Sequence, residues 1–323
     1  MYSHDDMQRE TRRIDPFQEA PGTGLLGRLS DALQNNGFSV GAFSVGATSE
    51  ALAGRNGLSS STTIYNEDLE SFDPKPSSKY SRIAVEYLNE ATALQSGMFG
   101  ETWSSLIRQS IVSNEVMKKT LKETDVGSFP RNDIGRQLEV VSRLIATRHC
   151  RGNDRDIFYV EMSGFDHHSD MLDKLDKKLE DIDAALQAFV AEMKSQKEWD
   201  NVALVAASEF GRTLSPNSGQ GTDHAWAGNY FVIGGKVNGS QILGAYPSDL
   251  TEKGDLMLGR GRLIPTTSWD AVWSGVAQWF GVEDEGQLSE VLPNRGNFVR
   301  NMFTAEDLFV SVNEDDYTCE TGD

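Results

Sequence analysis

Histidine and cysteine are scarce in this sequence, with five of one and two of the other among 323 residues. Cys150 and Cys319 are too few for a disulfide framework and lack the close pairing of a metal or redox motif, so they read as unpaired thiols. No apolar run is long enough to cross a bilayer, and the opening "MYSHDDMQRETRR" has no apolar core of the secretory kind, so no membrane span is expected and localisation stays open. Bases are in deficit too. Thirty Lys and Arg against 49 Asp and Glu leave a net charge of −19, which argues against the phosphate-neutralising surface that nucleic acid requires. That balance suits solubility and cation binding.

Apolar residues are plentiful, at 38% hydrophobic and 9% aromatic, enough for one large α/β domain over residues 1–309 with an acidic tail at 310–323. "GLLGRLSDALQNNG" (24–37) spaces Leu25, Leu29 and Leu33 as a helix and stops at Asn-Asn-Gly. "FSVGAFSV" (38–45) reads as a strand. Helical patterns near 78–96, 101–122 and 132–149 form a helical insertion at about 76–150. From Asp156 the period changes: "IFYVEM", "NVALVAAS" and "YFVIGG" are short apolar runs of the kind found in parallel strands buried on both faces. Between the first two runs, Leu172, Leu175, Leu179, Ile182, Leu186, Phe189 and Met193 alternate three and four apart, so strand, helix and strand form an expected βαβ unit. A last helix spans 267–281, with Trp273, Val276 and Trp279 on its apolar side.

Ligands of open α/β sheets gather beyond the carboxyl ends of the strands. The loop after "IFYVEM" carries Asp166, His167 and His168, the next loop carries Ser208, Glu209 and Arg212, and "GTDHAWAG" carries Asp223 and His224. Imidazole with carboxylate is a ligand set for zinc, manganese or iron and suits hydrolytic chemistry. Each piece has a plain structural reading as well. Asp166 can turn the chain, His168 can be a hydrogen-bonded loop residue, Glu209 can pair with Arg212, and His149 can end a helix. In an extended segment Asp166 and His168 share one side and His167 the other, with Ser169 placed to cap the following helix.

The ordered set "FYVEMSGFDHH", "VALVAASEFGRT", "GTDHAWAGNYFVIGG" and "GAYP" resembles the motifs of domain-of-unknown-function family 1501, over roughly residues 2–309. That family is a sulfatase-like group within the alkaline phosphatase superfamily, often exported. The resemblance implies a mainly parallel sheet flanked by helices with one or two divalent metals at the strand ends; the ion expected here is zinc first, with manganese, iron or calcium as alternatives. The family's first motif usually reads Gly-Phe-Asp-Thr-His, which lays its ligands on Asp166 and His168 and puts His167 in the threonine place. By the same correspondence Glu209 and His224 are metal ligands and Asp223 is their neighbour. Ser3 falls where the superfamily nucleophile is expected, beside His4.

Two departures accompany the resemblance. The family's opening strand and Gly-Gly-x-Asp-Gly loop have no counterpart before "YSHDDMQ", and Phe210 follows Glu209 where many superfamily phosphatases carry Asp-His. The expected function is a metal-dependent hydrolase for a small anionic phosphate or sulfate ester, with Arg212 forking onto substrate oxygens. The alternative is a non-catalytic metal- or ligand-binding protein. A mutase would need more histidine ligands than this chain supplies. The oligomeric state is not legible.

Overall fold

The computed structural model describes residues 3–19, 22–55, 61–65, 79–90 and 97–310. Cys150 is an exposed free thiol, while Cys319 and the acidic tail beyond Val310 lie outside the described residues. Helices α1 (His4–Arg13) and α2 (Leu25–Asn35) come first. Leu25, Leu29 and Leu33 of α2 recur one turn apart and are buried, and the helix stops at Asn36 as its sequence predicts. Strands β1 (Val40–Val45) and β2 (Thr62–Ile64) follow, then α3 (Lys79–Glu90), α4 (Gly97–Glu123), α5 (Asp133–Ala146) and the short α6 (Arg148–Arg151). The three expected helices between 78 and 149 are therefore present. Asn132 caps α5 by accepting from the Gly135 N–H at 2.8 Å.

With β3 (Arg155–Val160), these strands form a small parallel sheet in the order β2-β1-β3, Val40 opposite Arg155 through to Val45 opposite Val160. Strand residues alternate faces, and here both faces are buried. Phe43, Val45, Phe158 and Val160 meet α5 and the second half of α7 (Met171–Ser195), through Leu138, Leu144, Phe189 and Met193. Val40, Ala42, Ile157 and Tyr159 face α2 on the other side. The apolar runs that looked continuous in sequence are continuous because each alternate set has its own helical cover. α5 is accordingly a core helix of the sheet.

β4 (Ala203–Val205), β5 (Val232–Gly234) and a hairpin of β6 (Met257–Leu258) with β7 (Arg262–Leu263) complete the strands. Helices α8 (Trp269–Phe280), α9 (Glu285–Val291) and α10 (Ala305–Leu308) close the described chain. α9 joins the α2 face through Leu288 and Val291. α8 packs Val276 with Trp273 and Trp279 against Leu308 and Phe309, Trp279 stacking on Phe309 at 4.5 Å between ring centres.

Three expectations are corrected. β5 is not parallel to its neighbour: β4 and β5 pair antiparallel, Ala203 opposite Gly234. The physical reason is the connection. A parallel partner needs a crossover, commonly a helix, and residues 206–231 form none, so the chain returns antiparallel. The βαβ unit is also not closed, because among the described residues β3 and β4 share no ladder, although Phe158, Val160, Val202 and Leu204 pack on one cluster. Ser169 is not the cap of α7. Asp170 holds that position in the left-handed region, without a side-chain cap, because the Asp170 and Met171 N–H groups donate to the Gly219 and Gln220 carbonyls at 3.1 Å. The apolar stripe of α7 is buried only in its second half, and Leu172 and Leu179 are exposed.

Candidate metal centre

Four separate pieces of chain meet beyond the carboxyl end of β3. The segment following β3 supplies Asp166 and His168, and the segment following β4 supplies Ser208, Glu209 and Arg212. Residues 211–213 run antiparallel to 223–226, with the Thr213 N–H donating to the Asp223 carbonyl and the Gly211 N–H to the Trp226 carbonyl, both at 2.9 Å. This bridge sets Arg212 opposite His224. The fourth piece is the start of α1, which brings His4. That helix is clamped at its far end, where Arg12 Nε donates to the Tyr159 hydroxyl at 3.0 Å and Nη2 to Glu161 at 2.9 Å.

Asp166 is the hub. Its Oδ1 lies 2.9 Å from His168 Nε2, 3.0 Å from His224 Nε2 and 2.6 Å from Arg212 Nη1. Burial works to raise the pKa of this carboxyl, but hydrogen bonds from Arg212 and His224 and the charge of His168 outweigh it and hold the value at about 2. Asp166 is therefore ionised at neutral pH. His168 Nε2 and His224 Nε2 are 3.1 Å apart. His4 Nε2 stands 3.4 Å from Asp166 Oδ2, too poorly aligned for a hydrogen bond, and it is buried with no hydrogen-bond partner among the described residues. Donor atoms of His4, Asp166 and His224 all lie within 4.8 Å of one another.

A second layer of carboxylates fixes two of these rings. Glu209 Oε1 is 2.7 Å from His4 Nδ1, and its Oε2 accepts from the Ser208 hydroxyl at 2.8 Å. Burial pushes the Glu209 pKa up, yet His4, its own backbone N–H, Ser208 and Gln8 bring the net shift below the ordinary value. An ionised Glu209 can only accept, so His4 donates to it from Nδ1, which leaves Nε2 as the ring nitrogen turned toward Asp166. Asp223 repeats the arrangement for His168, with Oδ1 3.4 Å from Nδ1. Asn217 holds Asp223 Oδ1 at 3.2 Å and the His168 carbonyl at 3.1 Å, and the Asp223 pKa is lowered first by Asn217, then, against burial, by Arg260 and His168. A buried ring nitrogen facing an ionised carboxylate is stable only with a proton or a cation between them. Three imidazoles and a carboxylate are a zinc-type donor set.

The structure brings together Asp166, His168, Glu209, Asp223 and His224 as their positions at the loop ends predict, but it exchanges two placements. His4 contributes a nitrogen to the cluster itself, and Glu209 reaches that cluster through His4. The alternative Glu209–Arg212 ion pair is replaced by Arg212 with Asp166. Arg212 also spends Nε on the Thr222 hydroxyl at 3.1 Å and Nη2 on the Thr222 carbonyl, so its fork is committed within the protein. His167 makes none of the cluster contacts that Asp166 and His168 make. Its carbonyl accepts from the Thr222 N–H at 3.0 Å, and burial, then Lys174, Arg212 and Lys178, lower the ring's pKa. Ser3 is the exposed N-cap of α1, and its side chain makes no capping hydrogen bond. Sequence reasoning missed Asn217 and Arg260, and gave His4 only a neighbouring role. The rarity of histidine was the signal available for His4.

Residues 109–254 match a family described as "Protein of unknown function (DUF1501)". The matched span includes Asp166, His168, Glu209, Arg212, Asp223 and His224, and excludes α1 with Ser3 and His4. No curated protein and no solved structure matches the chain.

Proposed function

We propose that this protein binds one divalent metal ion, zinc by its donor chemistry, and acts as a hydrolase of phosphate or sulfate esters of the sulfatase-like type. The observation carrying this reading is the buried His4 Nε2, which has no hydrogen-bond partner among the described residues, beside an ionised Asp166 and His224. His4, Asp166 and His224 would hold the ion, with His168 at the fourth side. The chemistry such an ion supplies when bound is Lewis-acid withdrawal of charge from an ester oxygen.

The protein's own residues do the rest. Glu209 and Asp223 orient the rings of His4 and His168 and fix which nitrogen carries the proton. Arg212 holds Asp166 ionised and in place. Asp166 and His168 remain partly open to solvent, which leaves a side for substrate. Ser3 is the candidate attacking hydroxyl, standing next to His4 and not engaged in capping.

One observation favours a second, binding-only reading. The Ser208 hydroxyl donates to Glu209 and the Thr222 hydroxyl accepts from Arg212, so these two are engaged by groups other than the proposed ligands. A single experiment addresses both readings: metal content and turnover of aryl phosphates and aryl sulfates, for the purified protein and for Asp166→Ala. Near-stoichiometric metal with turnover, both lost in the variant, supports the hydrolase. Metal without turnover supports the binding protein. Protein that takes up no metal from a zinc-containing buffer overturns both.

A further inference from the structure

The turn between β6 and β7, Gly259-Arg260-Gly261, leans on the candidate metal centre. We propose that Arg260 is the residue that grips the tetrahedral oxyanion of the substrate, a role that guanidinium chemistry alone would give equally to Arg212. This rests on the ester-hydrolase reading and adds the residue that would set its preference for tetrahedral anions.

The two arginines differ in what their donors are free to do. Arg212 is 22% exposed and has all three nitrogens engaged, by Thr222 twice and by Asp166. Arg260 is 64% exposed and is bonded through Nη2 to Asp223 Oδ2. Among the described residues its Nε and Nη1 form no further hydrogen bond, so the exposed guanidinium keeps donors for the oxygens of a tetrahedral anion. Asp223 is shared, since its other oxygen contacts His168, so Arg260 stands one carboxylate away from the proposed ligands.

Its position is built and not incidental. Arg260 has φ of 69°, a left-handed conformation that a side chain disfavours, and Gly261 follows at 70°. A Cβ on Gly261 would lie 2.4 Å from the Ser215 nitrogen, so only glycine allows this approach, and the Gly261 carbonyl accepts from the Leu214 N–H at 2.9 Å. The turn is thereby fastened to the segment that carries Arg212 and Thr213. Arg212 and Arg260 contact the carboxylates of the cluster, and Lys174 and Lys178 donate to the Ser169 and Ser163 carbonyls on the segment that carries Asp166 and His168.

The test is calorimetric titration of the zinc-loaded full chain with inorganic phosphate and, separately, inorganic sulfate. It compares the wild type with Arg260→Gln and with Lys253→Gln, an exposed cation on the same stretch of chain. Arg260→Gln should retain its zinc and bind the preferred anion about tenfold or more weakly, with Lys253→Gln close to wild type. The stronger of the two anions in wild type identifies phosphate or sulfate as the class. Equal binding by Arg260→Gln and wild type overturns the proposal and leaves the metal reading standing, as does a Lys253→Gln loss equal to that of Arg260→Gln. A wild type that holds no zinc defeats the metal reading, yet anion binding lost only in Arg260→Gln would still establish the clamp. Absence of anion binding in any form of the protein overturns it.

Discussion

Glu209 and His4, 205 residues apart in sequence, meet with Oε1 2.7 Å from Nδ1. The contact decides which of the two can hold an ion. Glu209 spends one oxygen on His4 and the other on Ser208, whereas His4 is left with a buried nitrogen that has no hydrogen-bond partner among the described residues. Glu209→Gln should therefore weaken zinc binding by roughly 10–100-fold, the usual cost of losing an orienting carboxylate. His4→Ala should cost more than that. Competition against a chromogenic chelator measures both, and a Glu209→Gln loss larger than that of His4→Ala would show that Glu209 is the direct ligand.

Asp166 gives the acid response a sign. Burial works against its ionisation, but Arg212, His224 and His168 outweigh burial and bring it from 3.8 to about 2. A carboxyl depressed in the folded state stabilises the fold fully above its unfolded pKa and loses that contribution as pH falls through the folded value. Melting temperature of the chelator-treated protein should accordingly fall between about pH 4 and pH 2, with further loss from Glu209 and Asp223, which are also depressed. Asp166→Asn should flatten part of that slope. An acid limb identical in variant and wild type would contradict the assignment.

Gly221 tests the site without touching a ligand. A Cβ there would stand 2.2 Å from the His168 carbonyl carbon and 2.5 Å from its oxygen, both backbone atoms that cannot swing aside. Gly221→Ala should displace His168, and with it Asn217 and Asp223, weakening zinc binding by about tenfold or more while the far-ultraviolet circular dichroism is unchanged. Wild-type affinity in this variant would mean that His168 is not part of the centre.

Arg12 carries a prediction about docking. It joins α1 to Tyr159 of β3 and to Glu161 just past that strand, and the same helix delivers His4. Arg12→Gln should raise hydrogen exchange of the α1 amides selectively and lower metal affinity, since holding His4 in place then costs ordering entropy. Exchange that rises equally in α1 and α2 would indicate general destabilisation instead.

Leu33 measures the core. It is fully buried between the sheet and the α8–α9 side, so Leu33→Ala should destabilise by about 2–5 kcal/mol through lost burial and the cavity left behind. Urea unfolding provides the reading. A loss below ~1 kcal/mol would imply a core that collapses around the deletion.

Local pattern determined a good deal of this protein. The leucine spacing of α2, the helices between 78 and 149, the apolar runs of β1 and β3, and the presence of Asp166, His168, Glu209, Asp223 and His224 in loops after strands all follow from period and from neighbours close in sequence. Pairing did not. Whether β5 runs parallel or antiparallel to β4 depends on the path of the 206–231 connection, and the cap of α7 depends on carbonyls of Gly219 and Gln220 some fifty residues away. The roles of His4, Arg212 and Arg260 were likewise set in three dimensions. Which atom of a histidine or arginine is already engaged is fixed by what lies across the site, and residues 4, 166, 209 and 260 become neighbours only when α1, the two strand-end loops and the β6–β7 turn have packed. Sequence supplied the donor types; tertiary structure decided which lone pair and which guanidinium were left to act.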